Sequence, residues 1–97
     1  YTDAMKYAKI NGEDYPIVYD YYASRGICFT HLEKYGEALA DFDYSLKLNG
    51  NIASVYANRG IVLFYLDKKK EACESWNKAK SLGESSVQEY LDKKCSN

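Results

Sequence analysis

One stretch of the chain occurs twice, and this repetition limits the possible folds more than any other feature. Residues 22–27, YASRGI, recur 34 residues later as residues 56–61, YANRGI. Residues 19–52 and 53–86 share ten identical positions in all, which are Tyr22/Tyr56, Ala23/Ala57, Arg25/Arg59, Gly26/Gly60, Ile27/Ile61, Leu32/Leu66, Lys34/Lys68, Glu37/Glu71, Ala38/Ala72 and Leu48/Leu82. A period of about 34 residues is typical of stacked helix–turn–helix units. The sequence therefore predicts an all-α fold of repeated helix pairs.

Size and charge narrow the class of protein further. The chain has 97 residues, of which 46% are hydrophobic and 28% charged, as expected for one small globular domain. Its net charge of −1 lacks the basic excess of a nucleic-acid-binding protein. The basic run at residues 68–70 precedes Glu71 and Glu74 and is interpreted as a solvated turn and helix start. No apolar run reaches the roughly 18 residues of a membrane span, so no membrane insertion is expected.

Apolar side chains at helical spacing predict about six helices, over residues 1–11, 17–32, 35–48, 53–66, 69–81 and 85–95. Turn-forming residues such as Asn11-Gly12 and residues 49–51 separate the helices. Gly26 lies inside the second of them, where glycine costs about 1 kcal/mol relative to alanine. We expect a neighbouring helix to approach closely at Gly26, since the missing side chain leaves room for it.

The repeated pattern resembles the tetratricopeptide repeat, which has an aromatic residue, x₂-L-G-x₂-Y, and later A-x₃-F. The first copy reads Tyr22-x₂-Arg25-Gly26-x₂-Phe29 and then Ala38-x₃-Phe42. The second copy reads Tyr56-x₂-Arg59-Gly60-x₂-Leu63 and then Ala72-x₃-Trp76. The resemblance covers essentially the whole chain and implies an α-solenoid, a right-handed superhelical stack of antiparallel helix pairs.

The resemblance also implies how a single domain of residues 1–97 is divided. Residues 1–16 resemble the second helix of a truncated preceding repeat, 19–52 and 53–86 form two repeats, and 87–97 form a capping helix. Arg25 and Arg59 stand where the family more often has leucine. Arginine can bury its stem and keep its head polar, so we expect Asp41 to pair with Arg25 or Arg59 between packed helices.

The one catalytic-looking pair is Cys28 and His31, one helical turn apart. Nucleophilic catalysis would also need an orienting partner and an oxyanion site, and the sequence indicates neither. One histidine and three scattered cysteines lack the spacing of a zinc site. We therefore expect Cys28 to pack, His31 to be a surface or groove side chain, and the chain to be no enzyme, with no cofactor.

Two further cysteines leave two interpretations open. Some bacterial members of the family end in a similar A-C-x₂-W…L-G…C cap, which Ala72-Cys73-x₂-Trp76, Leu82-Gly83 and Cys95 resemble. The resemblance implies either a Cys73–Cys95 disulfide, which would indicate an exported or periplasmic protein, or two reduced, buried thiols. The odd number of cysteines by itself favours a reducing compartment such as the cytoplasm.

The family resemblance also implies a concave groove lined mainly by the first helix of each repeat. The implied groove residues include Ser24, Ile27, His31, Asn58, Ile61, Phe64 and Tyr65. Such a surface suits a protein or peptide partner lying in the groove. The expected function is thus a non-catalytic binding scaffold.

Two other interpretations concern the role of the chain and the identity of its partner. The chain could instead be the C-terminal cap of a longer repeat protein, or a self-association module that forms a homo-oligomer through its truncated first helix. Repeats that clamp the acidic C-terminus of heat-shock chaperones are a further sub-family. Asn58 matches their pattern, but Ala23, Ile27, Gln88 and Asp92 replace the expected polar and basic residues, so that partner is not expected.

Overall fold

A computed structural model describes the backbone of residues 6–10, 13–17 and 19–95, and the side chains of residues 21–95. From residue 19 on, this described part is helical. Its elements, in chain order, are strands β1 (Lys6–Ile10) and β2 (Glu13–Ile17), helices α1 (Tyr19–His31), α2 (Tyr35–Leu48), α3 (Ala53–Tyr65) and α4 (Lys69–Ser81), a 3₁₀ turn (Ser85–Val87) and helix α5 (Gln88–Lys94).

The predicted helix over residues 1–11 is wrong where the structure describes this segment. Strands β1 and β2 pair antiparallel there, with Lys6 opposite Ile17 and Ile10 opposite Glu13. An Asn-Gly pair is a strong two-residue hairpin signal as well as a helix stop, and Asn11-Gly12 lies between the strands in the sequence. Residues 1–5, 11 and 12 lie outside the described part. Described residues 6–10 are therefore not the second helix of a preceding repeat.

The remaining helices follow the predicted bounds to within a few residues. α1 packs against α2, α3 packs against both α2 and α4, and the 3₁₀ turn and α5 pack against α4. Helices α1 and α3 end in the same left-handed turn, at Glu33 (φ 61°) and Asp67 (φ 63°), 34 residues apart. The backbone N–H of the next residue then bonds back to the carbonyl of Phe29 or Leu63. The sequence repeat is thus also a repeat of helices and turns.

Two hydrophobic clusters hold the helices together. The first joins α2 to α3 through the buried side chains of Ala38, Phe42, Val55 and Val62. The second joins α3, α4 and the C-terminal segment through Leu63, Ala72, Trp76, Ala79 and Val87. Leu39 packs against both clusters, so they meet in α2.

The close approach expected at Gly26 is confirmed, and Gly60 repeats it. A Cβ atom on Gly26 would lie 2.7 Å from Cε1 of Phe42, and one on Gly60 would lie 2.5 Å from Cδ1 of Trp76. The two aromatic rings are themselves buried. Each glycine therefore leaves a space on the surface of its helix, and an aromatic ring of the following helix fills that space.

The expected pairing of Asp41 is also confirmed, with Arg25 as its partner. Arg25 donates from Nε to Oδ2 of Asp41 at 2.7 Å and from Nη2 to Oδ1 at 2.9 Å. This hydrogen-bonded carboxylate raises the pKa of the Arg25 guanidinium above its usual value. Arg59 instead bonds Asp43 through Nε at 2.6 Å and Ser75 through Nη1 at 2.5 Å.

Replacing the packed glycines by alanine should destabilise the fold. In Gly26→Ala and Gly60→Ala the new methyl group meets a buried ring, and overpacking of this kind costs about 1–3 kcal/mol. Gly36, in α2, has no atom within 4 Å of its would-be Cβ, so Gly36→Ala should stabilise by up to about 1 kcal/mol. Urea denaturation of the three variants measures this, and equal effects at all three positions would contradict the packing argument.

Removing the buried carboxylate should matter more than removing the exposed one. Asp41 is 6% exposed, whereas the Asp43 side chain is 50% exposed. Asp41→Ala should therefore lower the melting temperature more than Asp43→Ala, because it leaves the partly buried Arg25 without its two-pronged acceptor. Thermal unfolding followed by circular dichroism compares the two variants. An Asp41→Ala protein as stable as the wild type would show that the pair contributes no stability.

Candidate functional site

A concave surface runs between α1 and α3, bounded at one end by the start of α2. It encloses about 370 Å³ and is called the α1–α3 groove below; its lining is Ile27, Thr30, His31, Tyr35, Asn58, Ile61 and Tyr65. Five of the seven predicted groove residues, from two helices, therefore line one surface. The volume is within the range of sites that hold a small ligand or a few peptide side chains.

The groove lining combines apolar side chains with the polar groups of Thr30, His31 and Asn58. Ile27 is 39% exposed and Tyr65 61% exposed, although both are large hydrophobic side chains. Tyr35 stacks on Tyr65, with ring centroids 4.8 Å apart and planes 10° apart. Desolvation, followed by the negative charge of the nearby Glu33, raises the pKa of Tyr35 above its usual value. The stacked pair thus forms an aromatic wall of the groove.

A second, smaller concavity adjoins the groove, because Ile61 and Tyr65 line both. It measures about 130 Å³ and is called the aromatic pocket below; its lining is Ile61, Phe64, Tyr65, Trp76, Tyr90 and Lys94. Trp76 stacks on Tyr90 at a centroid distance of 5.0 Å. The ammonium nitrogen of Lys94 lies 4.4 Å from the centroid of the Phe64 ring, at cation–π distance.

The remaining predicted site residues lie elsewhere. Phe64 belongs to the aromatic pocket, and Ser24 is exposed on α1 and lines neither concavity. Sequence reasoning missed Tyr35, Trp76, Tyr90 and Lys94 as site residues. One signal was available, because Tyr22, Tyr56 and Tyr90 are spaced by 34 residues. That spacing indicates that α5 takes the repeat position of α1 and α3.

The expectation that Cys28 packs is wrong, because its side chain is exposed on α1. Its repeat equivalent, Val62, is fully buried against the preceding helix α2, whereas no helix precedes α1 in the described part. His31, as expected, is exposed and lines the groove. Among residues 21–95, no group of three His, Cys, Asp or Glu side chains is placed to hold a metal ion.

The structure decides between the two interpretations of Cys73 and Cys95, which form a disulfide with their Cα atoms 5.8 Å apart. The bond joins α4 to the end of α5. Leu39 and Ile61 are the equivalent residues one repeat earlier, and both pack against the second cluster. The disulfide thus stands at the positions where the earlier repeat has two apolar side chains, and it links α5 to α4. Since Tyr90 and Lys94 lie on α5, it also holds one wall of the aromatic pocket.

Comparison with known proteins gives no relative from which a function could be transferred. No family model matches the chain, and no curated protein matches it. The described fold and surface define a class only: a helical protein with two equivalent helix pairs and a concave surface of mixed polarity between their first helices. None of the helices in the described part is long and apolar enough to cross a membrane.

Removing the disulfide should destabilise the C-terminal part of the chain. The bond closes a loop of 22 residues, and loops of about this length contribute about 3 kcal/mol by restricting the unfolded chain. The double variant Cys73→Ala, Cys95→Ala should lose about 2–4 kcal/mol of unfolding free energy in guanidinium titrations.

The exposed thiol provides the control for this experiment. Cys28→Ser should stay within about 0.5 kcal/mol of the wild type, because Cys28 is exposed and unbonded. Hydrogen exchange should also show faster exchange of the α5 amides in the double variant. Equal stability of the oxidised wild type and the double variant would show that the bond does not hold the segment.

Proposed function

We propose that this chain is a non-catalytic scaffold that binds a peptide or a peptide-like segment of another protein in the α1–α3 groove. The observation that carries the proposal is the convergence of Ile27 and His31 from α1 with Asn58, Ile61 and Tyr65 from α3 on one surface. In this proposal the two helix pairs are consecutive units of an α-solenoid of the tetratricopeptide type. The 34-residue period and the repeated glycine–aromatic contacts support that assignment.

The chemistry of the groove indicates the kind of peptide it would hold. Ile27, Ile61 and the Tyr35–Tyr65 stack offer apolar contacts, while His31 and Asn58 offer hydrogen-bonding groups. The aromatic pocket beside them has room for about one side chain. The preferred partner is therefore a short segment with two or three apolar anchors, at least one of them small enough for this pocket.

A second role, as the structural end of a longer helical array, is favoured by the C-terminal segment. Val87 is fully buried, Tyr90 stacks on Trp76, and the Cys73–Cys95 bond holds α5 to α4. Open repeat stacks need such an end, because a terminal helix otherwise exposes an apolar face. This role is compatible with peptide binding, since the groove and the cap use different surfaces.

The disulfide also supports a proposal about the compartment. Structural disulfides persist in oxidising environments and are rare in the cytosol. The bond therefore favours an exported protein over a cytoplasmic one, although the odd cysteine number pointed the other way. Cys28 is the thiol that remains free in the described part.

A charge placed in the groove should abolish peptide binding. Peptides selected from a random phage-displayed 12-mer library on the wild-type chain would be labelled and titrated by fluorescence anisotropy. Ile27→Glu should weaken their binding at least tenfold, because burying an isoleucine side chain is worth about 1.5–3 kcal/mol and tenfold corresponds to about 1.4 kcal/mol.

A matched variant directly after the end of the same helix serves as the control. Leu32 is 65% exposed and lies outside the groove, so Leu32→Glu introduces the same charge without touching the proposed site. Its affinity for the selected peptides should match that of the wild type. If Ile27→Glu bound them as tightly as Leu32→Glu, peptides would not use the α1–α3 groove.

A further inference from the structure

Helix α1 has the composition of an interior helix although one side of it is exposed. It carries two charged side chains, Asp20 and Arg25, and α3 carries one, Arg59. Helices α2 and α4 carry four and six. For α3 the low number fits its position, because it is packed between α2 and α4. α1 packs mainly against α2, so its low charge is not explained by the described contacts.

The exposed side of α1, continued by the residue after its end, forms a stripe of four residues, Tyr21, Arg25, Cys28 and Leu32, called the α1 stripe below. Their spacing of i, i+4, i+7 and i+11 places them on one side of a helix. Tyr21 is 55% exposed, Leu32 65%, and Cys28 is exposed as well. Ile27 and His31, which line the groove, lie on a different side of α1. The stripe is therefore a second apolar surface, separate from the groove.

The sequence repeat shows what a stripe of this kind contacts when it is covered. The equivalents of the stripe in the second repeat are Val55, Arg59, Val62 and Leu66. Val55 is 2% exposed and Val62 is fully buried, and both pack in one cluster with Ala38 and Phe42 of α2. The equivalent stripe on α3 is thus covered by the preceding helix, which is α2.

Helix α2 also supplies a charge to that contact. Arg59 bonds Oδ1 of Asp43, which follows Phe42 in α2. Arg25 holds the same repeat position in the α1 stripe and is 46% exposed. It uses Nε and Nη2 for Asp41, and a guanidinium has five N–H donors, so donors remain for another carboxylate. The stripe therefore has both the apolar and the charged half of the α2–α3 contact.

We propose that the α1 stripe docks an amphipathic helix of the α2 type from a partner. Such a helix has apolar residues at i, i+3 and i+7, as Leu39, Phe42 and Leu46 are spaced, and an aspartate at i+4, as Asp43 is. Its apolar residues cover Tyr21, Cys28 and Leu32, and its aspartate pairs with Arg25. The interaction does not use the groove, so it is independent of the peptide binding proposed above.

The chain itself contains a probe of this chemistry, the α2 sequence of residues 35–48. A labelled peptide of this sequence would be kept helical by a hydrocarbon staple joining positions 37 and 41, on the side away from Leu39, Phe42 and Leu46. Anisotropy titration against the oxidised 97-residue chain should show saturable binding. Leu32→Glu in the protein should weaken it at least tenfold, and Ile27→Glu should leave it unchanged.

A change in the peptide tests the charged half of the contact. Asp43→Lys in the peptide should weaken binding about tenfold at low salt, because it places a second cation beside Arg25, and the difference should shrink as salt increases. The same affinity for both peptides would contradict the assigned orientation of the docked helix.

The free thiol reports where the peptide binds. Cys28 lies in the stripe and Cys73 and Cys95 are bonded, so N-ethylmaleimide should react with Cys28 and the bound peptide should slow that reaction at least fivefold. Binding without protection of Cys28, no binding at all, or equal binding by Leu32→Glu would each overturn the proposal.

Measurements on the same variants distinguish self-association of the chain from docking of a partner helix. Light scattering of the chain alone should give a mass that does not depend on concentration. A dimer that Leu32→Glu dissociates would assign the stripe to a second copy and overturn the proposed partner. Loss of groove peptides in Ile27→Glu, with α2-peptide binding intact, would separate the two surfaces experimentally.

Discussion

The contact on which the rest of the structure depends is the insertion of an aromatic ring against a glycine of the preceding helix. Phe42 fills the space beside Gly26, and Trp76 fills the space beside Gly60. Trp76 also donates from Nε1 to the carbonyl of Ala57 at 3.1 Å, which ties α4 to the backbone of α3. Both helix pairs have this glycine–aromatic contact, so α1 and α3 are oriented alike. Equivalent sides of the two helices therefore line the α1–α3 groove.

The two repeats differ where their surroundings differ. Arg25 pairs with a buried aspartate, whereas its equivalent Arg59 contacts Ser75 in its own repeat and takes its carboxylate from the repeat before. A second difference is at the C-terminal end, where a disulfide occupies the positions of Leu39 and Ile61 in the earlier repeat. Helix α5 has 7 residues and none of them is fully buried, so the covalent bond adds to the packing that holds this short helix. Internal repetition thus shows which contacts are general and which are adapted to one end.

Much of the fold follows from local pattern, and the site follows in part. Helical spacing predicted α1 to α4 nearly to the residue, and the glycine inside α1 predicted the close helix contact. The pairing of β1 with β2 was missed because an Asn-Gly pair in a sequence is a signal both for helix ends and for strand connections, and only pairing between the two segments decides which. Cys28 was expected to pack but is exposed; its equivalent Val62 is buried by the preceding helix α2, and no helix precedes α1 in the described part. Tyr35 was missed because its role depends on Tyr65, which lies in another helix.

By itself, the sequence determined the 34-residue period, the helix pairs, and the positions of the glycines and aromatic residues that join them, because helix formation and turn chemistry depend on neighbours along the chain. Tertiary structure decided which of two arginines Asp41 would bind, whether two distant thiols would meet, and which side of α1 would remain exposed. These outcomes depend on distances between helices. Such distances are set by the packing of side chains that are far apart in the sequence, and no local spacing contains them.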